Sequence, residues 1–313
     1  MTETMAMYHN PVLLQESVDG LNIKKDGVYV DVTFGGGGHS QEILKRLGGE
    51  GKLLAFDQDE DALENTIDDE RFTLINENFR FVTQFLKFYG IRKVDGILAD
   101  FGVSSHQFDT AERGFSTRFE ASLDMRMSKR STLSAYEVVN SYDYNALRKV
   151  LFQYGDLRNA NAMAKTILAQ REQSPIKTTE QLKETLQQFL PNAREHKILA
   201  QIYQAIRIEV NQEIEVIKEF LLQIPDLLDE GGRLSIISYH SLEDRLVKRY
   251  IRAGQFEGEP EKDFYGNIDV PFKKVGGLVV PSKDEIKENN RARSAKLRIA
   301  ERVAKKDEFK VKR

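Results

Sequence analysis

The chain contains no cysteine. That excludes disulfides, thiolate nucleophiles and cysteine-based structural zinc sites. Histidine is scarce too. His9, His39, His106, His196 and His240 are widely scattered, so no histidine cluster marks a metal site and no metal is expected. No apolar run approaches the roughly 20 residues that span a bilayer. Met1-Thr2-Glu3-Thr4 carries an acid and no basic stretch, unlike a secretory signal. These absences point to the cytoplasm, without a membrane partner. What is present, 313 residues with 40% hydrophobic and 30% charged side chains, suits one large globular domain or two ordinary ones. The net charge of −3 hides an asymmetry. Residues 283–313 hold 12 Lys or Arg against 6 Asp or Glu, a net of +6, so the other 282 residues carry −9. A basic end on an acidic protein suits contact with a polyanion; Lys306–Arg313 itself reads as a solvated tail.

The most informative stretch is Val28-Tyr29-Val30-Asp31-Val32 followed by Thr33-Phe34-Gly35-Gly36-Gly37-Gly38-His39-Ser40. A strand runs into four glycines, and a helix-compatible segment follows. Glycines there let the backbone approach a ligand and present N–H groups at a helix start. A second strand, Lys52–Phe56, ends in Asp57, 19 residues after Gly38. The ribose-binding acid of nucleotide folds is expected about 20 residues on. A tight turn and a surface aspartate would explain either feature alone but not the ordered set.

The first ~105 residues alternate strands (28–32, 52–56, 72–75, 94–99) with helices (40–47, 60–67, 79–89), and Asp59 is placed to cap the second helix. This alternation predicts a parallel sheet covered on both faces. The pattern breaks after Gly102. Residues 111–127 are polar and irregular. Helices are then predicted at 146–154, 161–171, 179–189 and 193–210, punctuated by Pro175 and Pro191. A helix at 213–228, a strand at 233–238, a helix at 242–251 and an antiparallel strand at 295–300 follow. Residues 254–280 read as a loop. The expected organisation is a discontinuous α/β domain, 1–105 with 212–313, interrupted by an all-helical domain over 106–211. Strand ends loaded with polar residues, at Gly35–His39, Asp57, Asp100–Ser105 and Tyr239–Asp244, should wall the crevice.

A glycine turn plus a ribose acid fits NAD or S-adenosylmethionine. NAD sites usually carry G-x-G-x-x-G. Counting from Gly35 and Gly37 puts Ser40 at the third glycine, and counting from Gly36 puts Gln41 there. S-adenosylmethionine has no phosphate to cradle and fits this turn better.

The chain resembles the MraW (RsmH) family of bacterial methyltransferases over nearly its whole length. The resemblance rests on His9–Leu14, Thr33–Ser40, Asp95–Ser105, Ala111–Ser116, Leu123–Met127, Ser235–Arg245 and Arg291–Arg298. It implies a class I S-adenosylmethionine-dependent methyltransferase, a Rossmann-like sheet with an inserted all-helical domain for substrate recognition. The implied reaction is methylation of the exocyclic N4 of one cytidine in 16S rRNA near the decoding site. The implied cofactor residues are Gly37, Gly38, His39, Asp57, Phe79, Asp100 and Gln107. Gly36 stands where the family often has arginine. The implied partner is 16S rRNA in the assembled small subunit, and the protein is a monomer or homodimer. An NAD-dependent oxidoreductase and a non-catalytic RNA-binding assembly factor are the alternatives.

Several residues carry two readings each. Phe79 is a lid on adenine or core. Asp100 contacts cofactor, receives the target amine, or forms a turn before Gly102. His240 is a general base, an RNA hydrogen-bond donor, or a strand-end histidine without chemistry. Asp100 and His240 are the candidate catalytic residues. Gln204, Arg207 and Asn211 share one helix face, solvated or contacting a domain or RNA. Arg113, Arg118, Arg126, Lys129 and Arg130 read as a phosphate track with Phe115 and Phe119 for base stacking, or as a basic loop.

Overall fold

The computed structural model describes residues 11–304 apart from 261, 263–265, 267 and 269. The His9-Asn10 start of the first motif and the tail Lys306–Arg313 lie outside the described residues. The chain divides into two compact units, Met1–Gly102 with Glu215–Arg313, and Val103–Ile214. Among the described residues, no helix is long and apolar enough to cross a membrane.

The first unit opens with helix α1 (Leu14–Gly20), strand β1 (Val28–Asp31), α2 (Gly38–Arg46), β2 (Lys52–Phe56), β3 (Phe72–Ile75), α3 (Val82–Phe88) and β4 (Val94–Asp100). The second unit supplies α4 (Ser105–Asp109), α5 (Ala135–Ser141), α6 (Tyr144–Gln153), α7 (Ala160–Gln173), α8 (Thr179–Thr185) and α9 (Glu195–Asn211). The chain then continues through α10 (Glu213–Leu227), β5 (Leu228–Ser238), α11 (Ser241–Ala253), β6 (Phe272–Val279), α12 (Lys283–Glu288) and β7 (Lys296–Arg302).

The strands form one seven-stranded sheet in the order β3-β2-β1-β4-β5-β7-β6. β1 to β5 run parallel. β7 pairs antiparallel with β5 on one side and with β6 on the other. Successive side chains point to opposite faces. Tyr29, Leu53 and Leu98 join Val18, Ile43 and Leu47 in one core cluster. Val30, Leu54, Phe56 and Ile97 join Val82, Phe220, Ile224 and Ile251 in another. Both faces are thus buried, as parallel strands require. The strand order reverses between β1 and β4, so ligand chemistry is expected outside the carboxyl ends of those two strands.

The structure corrects several expectations. Glu60–Asn65 is a 3₁₀ helix rather than an α-helix and buries Ala62 alone, too little apolar surface to hold longer turns. Asp59 does cap it, accepting from the Asp61 N–H. The expected helix 79–89 begins as 3₁₀ at Phe79–Phe81 before α3. The helix expected over 179–189 stops at Thr185 and resumes as a 3₁₀ turn, Gln187–Phe189. β5 begins five residues early, at Leu228, and a register shift between Val94 and Gly96 accommodates Gly231 at φ 79°. The expected loop 254–280 contains β6. This edge strand buries little beyond Phe272, carries two glycines and shifts register between Val275 and Val279, so it has no alternating apolar signature.

The second unit has its own core. Leu147, Leu151, Met163, Ile167, Leu182, Ile202 and Ile206 pack together from α6 to α9. Part of the segment 113–127 belongs to that core, while Arg118 and Phe119 within it stay exposed. Phe115 is 4% exposed and packs beside Leu123, Met125 and Met127, so it offers no ring for base stacking. Arg113 is buried over Phe115 and donates to the Arg126 and Met127 carbonyls. Arg126 is forked onto Asp124. The shared face of α9 is likewise committed inside the unit. Gln204 donates to the Tyr154 carbonyl, Arg207 pairs with Glu213, and Asn211 accepts from Met127 N–H and donates to the Met125 carbonyl.

Candidate functional site at the switch of strand order

The glycine turn is shaped from both sides. Gly35 (φ 53°) and Gly37 (φ 78°) take left-handed backbone, which side chains rarely adopt. Gly37 caps the start of α2. A Cβ on Gly38 would come within 2.1 Å of Pro11 Cγ. The Gly35 carbonyl accepts from Asn65 Nδ2 at 3.1 Å.

Asp57, at the end of β2, grips the same turn. Its Oδ2 accepts from Gly35 N–H and its Oδ1 from Asp59 N–H, each at 2.8 Å. Burial pushes its pKa up to about 6, against the pull of those two N–H groups. Two acceptor positions remain on the carboxylate, the number a ribose diol needs.

A second carboxylate lies beneath the turn, and the sequence reading did not single it out. Asp31, at the end of β1, is wholly buried. It accepts from Ser40 Oγ (2.7 Å) and Thr33 N–H (3.1 Å), so it ties β1 to the first turn of α2. Burial raises its pKa as well, opposed first by His39. A polar residue inside an apolar strand that meets a Ser nine residues on was the available signal.

His39 is 6% exposed. Its Nε2 lies 3.1 Å from the Val12 carbonyl, so the ring carries a proton there, and Nδ1 faces Asp100 Oδ2 at 4.0 Å. Asp100 ends β4. Its backbone N–H donates to Thr33 Oγ1 (2.6 Å), and its Oδ1 accepts from the Tyr239 hydroxyl (2.8 Å). The side chain keeps 22% exposure and is otherwise enclosed by protein. Burial pushes Asp100 up to about 6, opposed first by His39 and then by the Tyr239 hydrogen bond; Asp31 and Glu243 add to the rise.

Phe79 stacks on Phe101 (5.9 Å, 26°) and meets Phe220 edge-on (5.2 Å, 74°). It is half-buried and joins the edge of the core cluster that holds both. His240 caps α11 at the end of β5. Glu243 Oε2 accepts from the Tyr239 and His240 N–H groups. The His240 ring is 10% exposed; its Nε2 lies 3.1 Å from Glu243 Oε1 but without hydrogen-bond geometry, so among the described residues neither ring nitrogen is hydrogen-bonded. Gln107 belongs to the second unit, where its Oε1 accepts from Ser104 N–H and its own N–H bonds Ser104 Oγ, a capping box that opens α4. Gly37, Gly38, His39, Asp57, Phe79, Asp100 and His240 all lie in the first unit.

A sheet ordered 3-2-1-4-5-7-6 with the seventh strand antiparallel, a glycine turn after β1 and acids ending β2 and β4 define a class I S-adenosylmethionine-dependent methyltransferase fold. The model of the MraW methylase family matches residues 6–303. A ribosomal RNA small subunit methyltransferase H from Christiangramia forsetii is 70% identical over 296 residues, 95% of this chain and 98% of that one. The protein of the same name from Flavobacterium johnsoniae is 68% identical over 303 residues, 97% of this chain and 100% of its own. A crystal structure of an rRNA methylase from Streptococcus thermophilus aligns with a TM-score of 0.43 at 13% identity, over 95% of this chain and 100% of that one. The chain belongs to the MraW methylase family, and its cofactor is S-adenosylmethionine.

Proposed function

We propose that this chain methylates the exocyclic N4 amine of a cytidine in small-subunit (16S) rRNA, acting in the cytoplasm on the assembled small subunit. The observation that carries the reading is that Asp57 after β2 and Asp100 closing β4 each bond the segment that follows β1, Asp57 at Gly35 and Asp100 at Thr33. The names of the relatives support the choice of RNA.

The residues present fit the cofactor. Gly35–Gly38 give a turn without side chains, Asp57 keeps acceptors for the ribose hydroxyls, and the half-buried ring of Phe79 is the apolar candidate for the adenine. When bound, S-adenosylmethionine supplies a methyl group on cationic sulfur; the amine lone pair forms the new N–C bond while the S–C pair stays on sulfur.

This chain's residues address the weakness of the nucleophile. The N4 lone pair of cytosine is delocalised into the ring. Asp100 accepts a hydrogen bond from the amine, which draws the lone pair back to nitrogen, and the same carboxylate takes the proton released after transfer and passes it to water. His240, its ring enclosed beside Glu243, is assigned no step. Much of the rate comes from positioning, and the cytosine leaves its stack at a cost of a few kcal/mol.

The helical unit reads as the substrate-recognition part. Arg158, Arg194 and Lys197, with Phe189, line a cavity of about 400 Å³ within it. These cations add to Arg118, Lys129 and Arg130, the exposed members of the 113–130 track. A modest set of phosphate contacts makes free RNA a poor target, so shape in the assembled particle must add specificity. The test is mass spectrometry of small-subunit rRNA from cells with and without the protein, together with methyl transfer from labelled cofactor to assembled subunits and to naked rRNA. The expected result is one N4-methylcytidine that disappears with the protein, and far better labelling of subunits. Unchanged rRNA would overturn the reading; equal labelling of a short naked hairpin would overturn the particle requirement.

A further inference from the structure

Asp100 is held by three strand ends at once. Thr33 follows β1, Asp100 closes β4, and Tyr239 follows β5, 139 residues away in sequence. The Tyr239 ring packs against the cluster of Val12, Leu13, Ile237 and Leu297, which fixes where the hydroxyl points. That hydroxyl reaches Asp100 Oδ1 at 2.8 Å. Oδ2 stands 4.0 Å from His39 Nδ1 and keeps its acceptor capacity. We propose that Tyr239 is a positioning residue for methyl transfer: by donating to Oδ1 it fixes the Asp100 carboxylate as an acceptor and leaves Oδ2 for the incoming amine. This inference rests on the reading of Asp100 given above.

The electrostatics explain why such a donor matters. The titratable groups acting on Asp100 are His39 from α2, Asp31 from β1, Glu243 from α11 and Tyr239 from the end of β5. Asp31 and Glu243 oppose a charge on Asp100, as does its burial; His39 and the Tyr239 hydrogen bond favour it. Tyr239 itself sits among Asp100, Glu243 and Glu285, and burial with those acids holds its phenol well above the ordinary range. It therefore remains a protonated donor throughout the working pH range. A hydrogen bond that is stronger toward the charged form favours the ionised carboxylate near neutrality.

The test is Tyr239→Phe, which keeps the ring in its cluster and removes only the donor. Two readouts are needed. First, ¹³C-carboxyl NMR of the aspartate-labelled full-length protein without cofactor follows the Asp100 titration directly, assigned by its absence in Asp100→Asn. Second, the pH profile of methyl transfer to small subunits is measured for both proteins. The expected result is an upward move of the Asp100 titration, and of the acid limb of the rate, by about one to two pH units. That is a loss of ~5- to 50-fold at pH 6 that recovers nearly fully by pH 9. In an Asp100→Asn background, Tyr239→Phe should add no further pH dependence. A carboxyl titration that stays in place while wild-type protein labels rRNA normally would overturn the inference. So would a rate loss equal at every pH, the mark of a merely structural residue. A wild-type protein that labels no small-subunit rRNA would instead overturn the functional reading, while the NMR titration would still decide the Tyr239–Asp100 link.

Discussion

Replacing Asp57 with asparagine should separate binding from stability, with opposite signs. In the folded protein the Asp57 pKa is pushed from 3.8 to about 6, chiefly by burial. A group with a raised folded pKa contributes stability that is fully present below its unfolded pKa and lost as pH rises through its folded one. Between pH 4 and 6 the unfolded chain ionises while folded Asp57 still holds its proton, so folding loses free energy as pH rises. A shift of about two units corresponds to roughly 3 kcal/mol, of which about 1.4 kcal/mol falls between pH 5 and pH 8. Asparagine carries no charge and escapes that loss. It keeps one oxygen for Gly35 or Asp59 but sets an amide against the other N–H, at about 1–3 kcal/mol. The variant should therefore be between equal to wild type and about 2 kcal/mol more stable at pH 8. Its advantage should shrink by about 1.4 kcal/mol at pH 5. Its affinity for S-adenosylmethionine should fall ~10- to 150-fold, the loss of hydrogen bonds to a charged acceptor. Urea unfolding at both pH values, paired with calorimetric titration of the cofactor, reads both effects. A stability difference independent of pH would refute the charge argument, and an unchanged affinity would remove Asp57 from the site.

Two further changes probe the scaffold. Gly38→Ala drives a Cβ to 2.1 Å from Pro11 Cγ, so the turn must move; cofactor binding should weaken at least ~10-fold with a lower melting temperature, and calorimetry showing wild-type affinity would mean that Pro11 yields freely. Deleting Lys306–Arg313 should leave cofactor affinity unchanged, whereas truncation at Asn290 removes β7, which lies between β5 and β6, and should yield unfolded or aggregated protein by circular dichroism and gel filtration. A soluble, cofactor-binding truncation at Asn290 would show that the first five strands hold without it.

Features set by neighbours in the chain were readable from the chain. The glycine run after β1, the acid that follows β2 and the succession of short parallel strands are local patterns, and each appears where sequence places it, as does the antiparallel strand near the end, although the segment after β2 winds as 3₁₀ rather than α. The break to helical pattern after Gly102 was equally local. What tertiary structure decided was everything that depends on a partner far away in sequence. Whether Phe115 is a stacking surface or core depends on helices that arrive later to cover it. Whether Gln204, Arg207 and Asn211 are free for RNA depends on Tyr154, Glu213 and Met125. β6 was invisible because an exposed edge strand gains its order from backbone hydrogen bonds to β7, and those leave no apolar period behind. The state of Asp100 belongs to the same class. The residue could be named from its place at a strand end. Its raised pKa comes from burial, Asp31 and Glu243 against the pull of His39, and its fixed oxygen from a tyrosine hydroxyl 139 residues on, because charge and hydrogen bonding act through space while sequence records only order along the chain.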